Sequence, residues 1–213
     1  MQEDTMNIYL IRHARQNSKL CNVNVELSVV GRKQADLLGK RLANYQIEAI
    51  YSSHYYRAKE TAEIANTHLH VNHEIREELR EIDFGDLEGN TDSYNQDRYG
   101  DFLKERSAMT SDLAFPSGEC GADVWNRAKH VLNEIICTDY KNVAIVTHGG
   151  TIRSLVAGVL GIDQANKLQF GLSLENTSIT QLVYHRERNR LYLERFNDYA
   201  HLEQEPELLR RNW

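Results

Sequence analysis

Two short apolar segments of this chain each end in a histidine, and they constrain the fold more than any other feature. The first comprises residues 7–13 and ends in His13, and the second comprises residues 143–148, ends in His148 and precedes two glycines. A continuous apolar run with glycine nearby is typical of a buried parallel strand, and open α/β sheets bind ligands beyond the carboxyl ends of such strands. The sequence therefore predicts that both imidazoles lie at one edge of a sheet.

Length and charge limit the classes of protein to consider. The chain has 213 residues and a formal net charge of −6. This length accommodates one α/β domain with a full core, so we expect residues 1–213 to form a single domain. Nucleic acids and anionic membranes attract basic surfaces, and the acidic balance therefore predicts neither as a partner.

The segments that direct export or membrane insertion are not expected. Residues 1–6 are acidic and polar, whereas a signal peptide is basic and then apolar. The longest apolar stretch, around residues 155–160, is far shorter than the roughly 20 residues of a membrane span. The three cysteines are odd in number and share no close spacing, which indicates neither a disulfide framework nor a Cys-based zinc site. These features favour a cytoplasmic location.

Hydrophobic spacing predicts strands and helices in alternation, which favours a three-layer αβα sandwich with a mostly parallel central sheet. Besides the two strands that end in histidine, the expected elements are a helix capped by Ser28, a strand over 47–53, helices over 56–69 and 119–137, a helix after His148, and closing strands over 178–184 and 191–196. From residue 74 to about 116 the pattern loosens, and we expect an excursion over the rim of the sheet at about residues 88–118. The charged tail, residues 198–213, is expected to be peripheral.

Four basic side chains are expected to converge at the edge of the sheet. Arg12 and His13 lie at the tip of the first strand, Arg57 lies in the opening turn of a helix, and His148 lies at the tip of another strand. Gly149 begins the following helix, where free backbone N–H groups attract anions and glycine permits close approach. The sequence therefore predicts a phosphate-binding pocket.

These residues and their neighbours resemble the histidine phosphatase superfamily, which includes the cofactor-dependent phosphoglycerate mutases. The similar blocks occur in order from about residue 6 to residue 184. They are Leu10-Ile11-Arg12-His13, Ser52-Ser53 followed by Arg57-Ala58 and Thr61-Ala62, Glu81 with Phe84-Gly85, and Thr147-His148-Gly149-Gly150 with Ile152-Arg153.

The resemblance implies a role for each matching residue. His13 corresponds to the nucleophile, Arg12 and Arg57 to the arginines that hold the phosphate, and His148 to the second histidine of the pocket. Glu81 corresponds to the proton donor, with Asp83 as the competing candidate. The implied fold is the three-layer sandwich of the phosphoglycerate mutases.

The chemistry of these groups predicts phosphate ester hydrolysis through a phosphohistidine. A neutral ring nitrogen of His13 attacks phosphorus, and the positioned cations meet the developing charge in place of magnesium. Glu81 gives a proton to the departing alkoxide and later takes one from water. We therefore expect a phosphomonoesterase that acts on a small phosphorylated substrate, needs no metal or other cofactor, and works best at neutral to acid pH.

Two alternatives to this function stay open. A phosphoglycerate mutase would shield the phosphohistidine from water and return the phosphoryl group to a bound product. A non-catalytic phosphate-binding regulatory module would keep the pocket without turnover. The sequence selects neither one ester nor an oligomeric state.

The chain also departs from the family pattern just after His13. The family has Gly, an acid, and Ser or Thr there, whereas this chain has Ala14, Arg15 and Gln16. Arg15 and Lys19 add positive charge near the expected mouth of the pocket, which favours a substrate with a second acidic group.

Other polar residues are open to structural interpretations. Glu119 resembles a recurring family element, but a carboxylate is also common at the start of a helix. His68, His70 and His73 have a spacing that could suit a metal, yet no cysteine accompanies them, and we expect surface histidines.

Overall fold

A six-stranded sheet forms the centre of the molecule in a computed structural model that describes residues 4–210. Its strands are β1 (Thr5–Arg12), β2 (Ala49–Ser53), β3 (Asn72–Arg76), β4 (Asn142–Thr147), β5 (Ile179–His185) and β6 (Arg190–Asp198). Their order across the sheet is β3-β2-β4-β1-β5-β6. The first four strands in that order pair in parallel, and β5 and β6 add an antiparallel edge.

Helices cover both faces of this sheet. Those that do so are α1 (Val29–Leu42), α2 (Tyr56–Asn66), α4 (Gly121–Ile136) and α5 (Gly149–Leu160), while α3 (Asp92–Ser107) packs on a separate cluster that contains Leu87 and Phe115. Helices α1 and α2 pack together on one face, and α4 and α5 pack together on the other. Within residues 4–210 none of the helices combines the length and the apolar character that crossing a bilayer requires.

The alternation of side chains along β1 explains why this strand is central. Ile8 and Leu10 are fully buried in the core beneath α4 and α5, whereas Tyr9 and Ile11 are buried in the core beneath α1 and α2. A strand buried on both faces is a continuous apolar run in sequence, and successive side chains point to opposite faces. The structure confirms the predicted three-layer sandwich and the mostly parallel sheet.

Two elements in the region of loose pattern were not predicted. Strand β3 lies at an edge, and its segment Asn-His-Glu-Ile-Arg has no apolar run because most of its side chains are exposed. Helix α3 occupies much of the expected excursion at 88–118, and it buries Asn95 alone among its residues. Its periodicity is weak, and Tyr99 interrupts the helical backbone.

Helix α2 ends earlier than the predicted residue 69. The side chain of Asn66 exchanges two hydrogen bonds with the backbone of Val71, at 2.9 and 3.0 Å. His70, between them, has a left-handed φ of 56°. Asparagine satisfies the backbone locally in this way and so stops the helix.

The prediction of a peripheral tail is wrong for residues 199–210. Leu202, Leu208 and Leu209 are buried against the outer side of α1. Leu202 and Leu208 end two short 3₁₀ turns and Leu209 follows the second turn, so their spacing matches neither the helical nor the strand period. The last three residues of the predicted tail, 211–213, lie outside the described residues.

Candidate active site

The carboxyl ends of β2, β4 and β1 meet at one edge of the sheet and bring the predicted residues together. Arg12 pairs in register with Thr147, so the next residue along each strand is a histidine. The ring centroids of His13 and His148 are 5.1 Å apart. Arg57, the second residue of α2, places its Nε 3.3 Å from Nε2 of His13.

Two hydrogen bonds fix the tautomer of His13. Arginine has no acceptor, so the Nε–H of Arg57 donates to Nε2 of His13. Nδ1 of His13 lies 2.7 Å from the carbonyl oxygen of Ala14, and it must carry the ring hydrogen and donate it there. The lone pair of the ring therefore lies on Nε2, on the side that faces Arg57.

Burial keeps both histidines neutral. His13 is 5% exposed, and burial together with Arg57 and Arg12 holds its pKa well below the ordinary 6.5. His148 is fully buried, and burial and Arg57 likewise hold its pKa well below that value. Neither ring is therefore charged at neutral pH, and His13 keeps a lone pair for attack.

His148 has polar atoms without protein partners. Both of its ring nitrogens are buried, and neither makes a hydrogen bond to a described residue. The ring of Tyr55 packs edge-on against it, with centroids 5.4 Å apart. Buried polar atoms are nearly always hydrogen-bonded in folded proteins, so such a pair next to arginines indicates a place for a polar ligand.

Arg57 is held by the loop that follows His13. Its guanidinium donates to the carbonyl oxygen of Val23 at 2.9 Å and to the side-chain oxygen of Asn22 at 2.6 Å. It is 2% exposed, and burial lowers its pKa. The guanidinium is therefore fixed in direction, with Nε presented to the histidines.

Arg12 supplies a second guanidinium from the end of β1. Its Nη1 donates to the carbonyl oxygen of Leu174 at 2.5 Å. Burial, and next the charge of Arg210, lowers the pKa of Arg12 to about 9, so it is still charged at neutral pH. An anion bound beside it would relieve both unfavourable effects.

Glu81 lies at the N-terminus of α5. One carboxylate oxygen accepts from the backbone N–H groups of Ile82 at 2.9 Å and Thr151 at 3.2 Å, and the other accepts from Gly150 at 3.2 Å. A Cβ at Gly150 would come within 2.5 Å of the carboxylate, so only glycine permits this approach. These two helix amides thus bind Glu81, whereas the sequence analysis expected free amides at this helix start for the phosphate.

Gly149 leaves room beside the cations. A Cβ there would meet nothing nearer than Arg12 and Arg153, each 3.7 Å away. The start of α5 therefore lies next to both guanidinium groups. That Gly149 borders a bound phosphate stays a prediction.

The other acidic candidates have structural partners. Asp83 accepts from the backbone N–H of Gly85 at 2.7 Å. Glu119 forms ion pairs with Arg80 and Arg127, both at 2.8 Å, and these pairs tie the segment that carries Glu81 to α4. Glu119 therefore holds the segment that carries Glu81 in place against α4.

The structure also locates the residues whose role the sequence left open. His68 pairs with Asp36 at 2.7 Å, and His73 lies 2.8 Å from the hydroxyl of Ser52, so these histidines have separate partners. Lys19 is exposed, and neither it nor Arg15 lines the cavity beside the site.

Several residues that hold His13 in place were missed by the sequence analysis. Asn176 donates to the carbonyl oxygen of His13 at 2.7 Å, and Thr61 accepts from the N–H of Ala14 at 3.0 Å. Thr61 occurs in the family-like blocks, which was a signal for it, whereas Asn22 and Asn176 lie in loops where one sequence gives none.

A cavity of about 290 Å³ lies on the Arg12 and Glu81 side of the site, and His13, Arg57 and His148 are not among its lining residues. Its lining includes Arg12, Glu81 and Gly149 of the site together with Arg153 and Phe115. This volume is near the lower limit for ligand pockets, which fits a small molecule rather than a folded protein partner.

A neutral imidazole among fixed cations, with a carboxylate whose charge acts on Arg12 and Arg57, is typical of proteins that bind and transfer phosphoryl groups. The model of the histidine phosphatase superfamily (branch 1) matches residues 8–198. The chain belongs to that superfamily, which confirms the resemblance found in the sequence.

Named relatives include both phosphatases and a mutase. Phosphoserine phosphatase 1 of Hydrogenobacter thermophilus is 30% identical over 207 residues, which cover 92% of this chain and 94% of the relative. A probable phosphoglycerate mutase of Proteus mirabilis is 26% identical over 206 residues, covering 92% and 95%. The structure of mycobacterial glucosyl-3-phosphoglycerate phosphatase with inorganic phosphate is similar with a TM-score of 0.82 at 28% identity, covering 92% of this chain and 99% of that one. The superfamily and these relatives indicate phosphatase or mutase activity.

Proposed function

We propose that this protein is a phosphomonoesterase that hydrolyses a small phosphate ester through a phosphohistidine on His13, without a metal ion. The observation that carries the proposal is the state of the His13 ring. Its Nδ1–H is held by the carbonyl of Ala14, and its Nε2 lone pair faces Arg57 and lies beside His148. A binding module has no need of a nucleophile fixed in this tautomer.

In the first step, Nε2 of His13 attacks phosphorus and the bond to the ester oxygen breaks. Arg57 gives up its hydrogen bond to Nε2 and donates to the phosphoryl oxygens, together with Arg12 and an N–H of His148. These donors stabilise the charge of the transition state, which is the largest part of phosphoryl-transfer catalysis. Glu81, which begins this step as the neutral carboxylic acid, gives its proton to the leaving alkoxide and becomes a carboxylate.

In the second step, a water molecule attacks phosphorus and the bond to Nε2 breaks. The carboxylate of Glu81 accepts the proton that the water loses, so the residue returns to its starting state. The backbone amides of α5 that hold Glu81 keep it at the same helix end as the phosphate in both steps. Inorganic phosphate then leaves.

The proposal is tested with p-nitrophenyl phosphate in the presence of EDTA. We expect turnover that persists with the chelator, disappears in His13→Ala, and leaves an acid-labile phosphoryl group on His13 after rapid quenching. Binding of phosphate without turnover would identify the regulatory module instead. Loss of activity with EDTA and its return on adding a divalent cation would contradict the metal-independent mechanism.

Mutase-type transfer is the second candidate because one relative is named a probable mutase. The two activities differ in the acceptor of the phosphoryl group. With a phosphoglycerate as substrate, a phosphatase releases inorganic phosphate in proportion to substrate consumed. A mutase forms the isomeric phosphoglycerate with little release, and that result would replace hydrolysis as the function.

A further inference from the structure

The cavity beside the site contains cations that the phosphoryl chemistry does not use. Arg153 and Arg106 both line it, and neither is required by the two steps described above. In a chain of net charge −6, arginines would ordinarily have carboxylate partners. Their surroundings therefore decide what the cavity can bind.

The guanidinium of Arg153 is close to that of Arg12 and has no acidic partner. It donates to the carbonyl oxygens of Phe170 and Gly171, at 3.3 and 2.9 Å. Arg153 forms no ion pair within 4.0 Å with a described residue, and burial lowers its pKa more than the charge of Glu81 raises it. Nη1 of Arg153 and Nε of Arg12 each come within 3.7 Å of the position of a Cβ on Gly149. Two like charges thus share one side of the cavity.

Arg106 places a second guanidinium on the cavity wall, and it forms no ion pair with a described residue, although the charge of Asp112 acts on it from a greater distance. Its central carbon lies 4.3 Å from the ring centroid of Phe115, which itself contacts Phe84 with centroids 4.6 Å apart. Its Nε is buried and makes no hydrogen bond to a described residue. Burial lowers the pKa of this group as well.

Lys167, a further cation of the same cavity, differs from these arginines because it forms an ion pair. Its Nζ lies 2.5 Å from a carboxylate oxygen of Asp112, and the pair needs no further anion. Arg106 and Arg153 have no such partner among residues 4–210. The cavity is therefore electrostatically suited to an anion in addition to the phosphate at Arg12.

We propose that Arg153 and Arg106 form a second anion subsite, so that the substrate is a small phosphate monoester whose alcohol part carries a carboxylate or a second phosphate. Arg153 donates to that group from beside the phosphate, and Arg106 approaches it from the aromatic wall. The inference rests on the proposed function because the ester must be cleaved at His13. It assigns to Arg153 and Arg106 the selectivity that the sequence analysis attributed to Arg15 and Lys19.

The test compares esters that differ in charge at nearly constant shape. The phosphate ester of 3-hydroxypropanoate carries a carboxylate, that of 3-hydroxypropanamide is uncharged there, and 1,3-propanediol bisphosphate carries a second phosphate. We expect kcat/KM for at least one of the doubly anionic esters to exceed that of the amide about 10–100-fold, the usual value of a charged hydrogen bond. The preferred ester distinguishes carboxylate from phosphate as the second anion.

The variants Arg153→Gln and Arg106→Gln should each reduce this preference about tenfold or more, and Arg153→Lys should restore part of it. Arg190→Gln is the matched control, because Arg190 is exposed at the start of β6. Arg153 also holds the 170–171 backbone, and a merely structural role would reduce the rates for all esters in equal proportion. Three results would overturn the subsite. The first is equal kcat/KM for all esters in the unaltered protein. The others, in either glutamine variant, are an equal loss of rate for charged and uncharged esters or an unchanged preference for the charged ester.

A binding measurement separates failure of the subsite from failure of the hydrolytic function. Phosphonates cannot be hydrolysed, so thermal stabilisation by 3-phosphonopropanoate, by the corresponding amide and by propane-1,3-bisphosphonate reports binding alone. Stronger stabilisation by an anionic compound that is lost in Arg153→Gln supports the subsite even without turnover. Hydrolysis of p-nitrophenyl phosphate without any such preference would reject the subsite and leave the proposed function standing.

Discussion

Replacement of Glu81 by glutamine separates its proposed role in proton transfer from its structural role at α5. The carboxylate accepts three backbone hydrogen bonds, from Ile82, Gly150 and Thr151. In Glu81→Gln one oxygen can still accept, but the amide nitrogen faces a backbone donor. We expect a loss of about 1–3 kcal/mol in the free energy of unfolding, the usual result of leaving a buried donor unsatisfied.

The effect of Glu81→Gln on the rate should depend on the leaving group. An alkyl ester requires a proton on its alkoxide, and removal of a general acid typically costs about 10²–10⁴-fold in rate. p-Nitrophenolate leaves without a proton, so phosphorylation of His13 by this ester should stay fast. The hydrolysis of the phosphohistidine loses its general base and becomes slow. Rapid mixing should then show a burst of p-nitrophenolate close to the enzyme concentration, followed by slow turnover.

Asp83→Asn is the matched control for this experiment. The oxygen that accepts from Gly85 is retained in asparagine, so its rates should stay within about twofold of the unaltered protein, as for substitutions away from a functional site. A rate for alkyl esters in Glu81→Gln within threefold of the unaltered protein would refute the assignment of the acid. A large loss in Asp83→Asn instead would transfer the role to Asp83.

Three further predictions follow from the geometry of the site. Arg57→Lys removes the fixed guanidinium bonds to His13, Val23 and Asn22, and kcat/KM for p-nitrophenyl phosphate should fall about 10–100-fold, while an unchanged value would show that charge alone suffices. Gly150→Ala forces the Glu81 carboxylate away from the start of α5 and should lower the turnover of alkyl esters. It should also lower the free energy of unfolding by about 1–3 kcal/mol, seen as a lower melting temperature. Normal turnover would show that the contact between Glu81 and α5 is dispensable. Burial holds the pKa of His148 below 6.5 in the folded state, so the unfolded chain takes up the proton first as the pH falls. The contribution of neutral His148 to the free energy of unfolding is therefore complete above pH 6.5 and declines below it. Urea titrations at several pH values should show a smaller decline for His148→Asn than for the unaltered protein.

The parts of the fold that could be predicted from sequence are those buried on two faces. β1 and β4 are continuous apolar runs because α-helices cover both of their sides. The edge strand β3 and the surface helix α3 carry mostly exposed side chains and leave no periodic signal. The prediction for the tail was wrong because its buried leucines lie in or next to short 3₁₀ turns rather than in regular elements.

The residues of the candidate site likewise fall into those that the sequence could locate and those that it could not. His13, His148 and Arg57 could be located because each follows a buried strand or opens the helix after one, and strand ends converge in space. Leu174 and Val23 contribute carbonyl oxygens, which every residue type possesses, so no side-chain pattern marks them. Arg153 and Arg106 could be seen as cations in the sequence, but their shared cavity depends on how α3 and α5 are placed.

Ala14, which stands where the family has glycine, leaves the backbone contacts of His13 unchanged. The backbone of Ala14 supplies what His13 needs, a carbonyl oxygen for Nδ1–H and an N–H bound to Thr61, and any residue can provide both. Ala14 is fully buried in a cluster with Leu27 and Ala35. The substitution therefore adds a small apolar contact beneath the loop without altering the tautomer of His13. We expect differences from the family to affect the proposed reaction only where they change a side chain that would touch the ester, in the phosphate site or in the proposed subsite of Arg153 and Arg106.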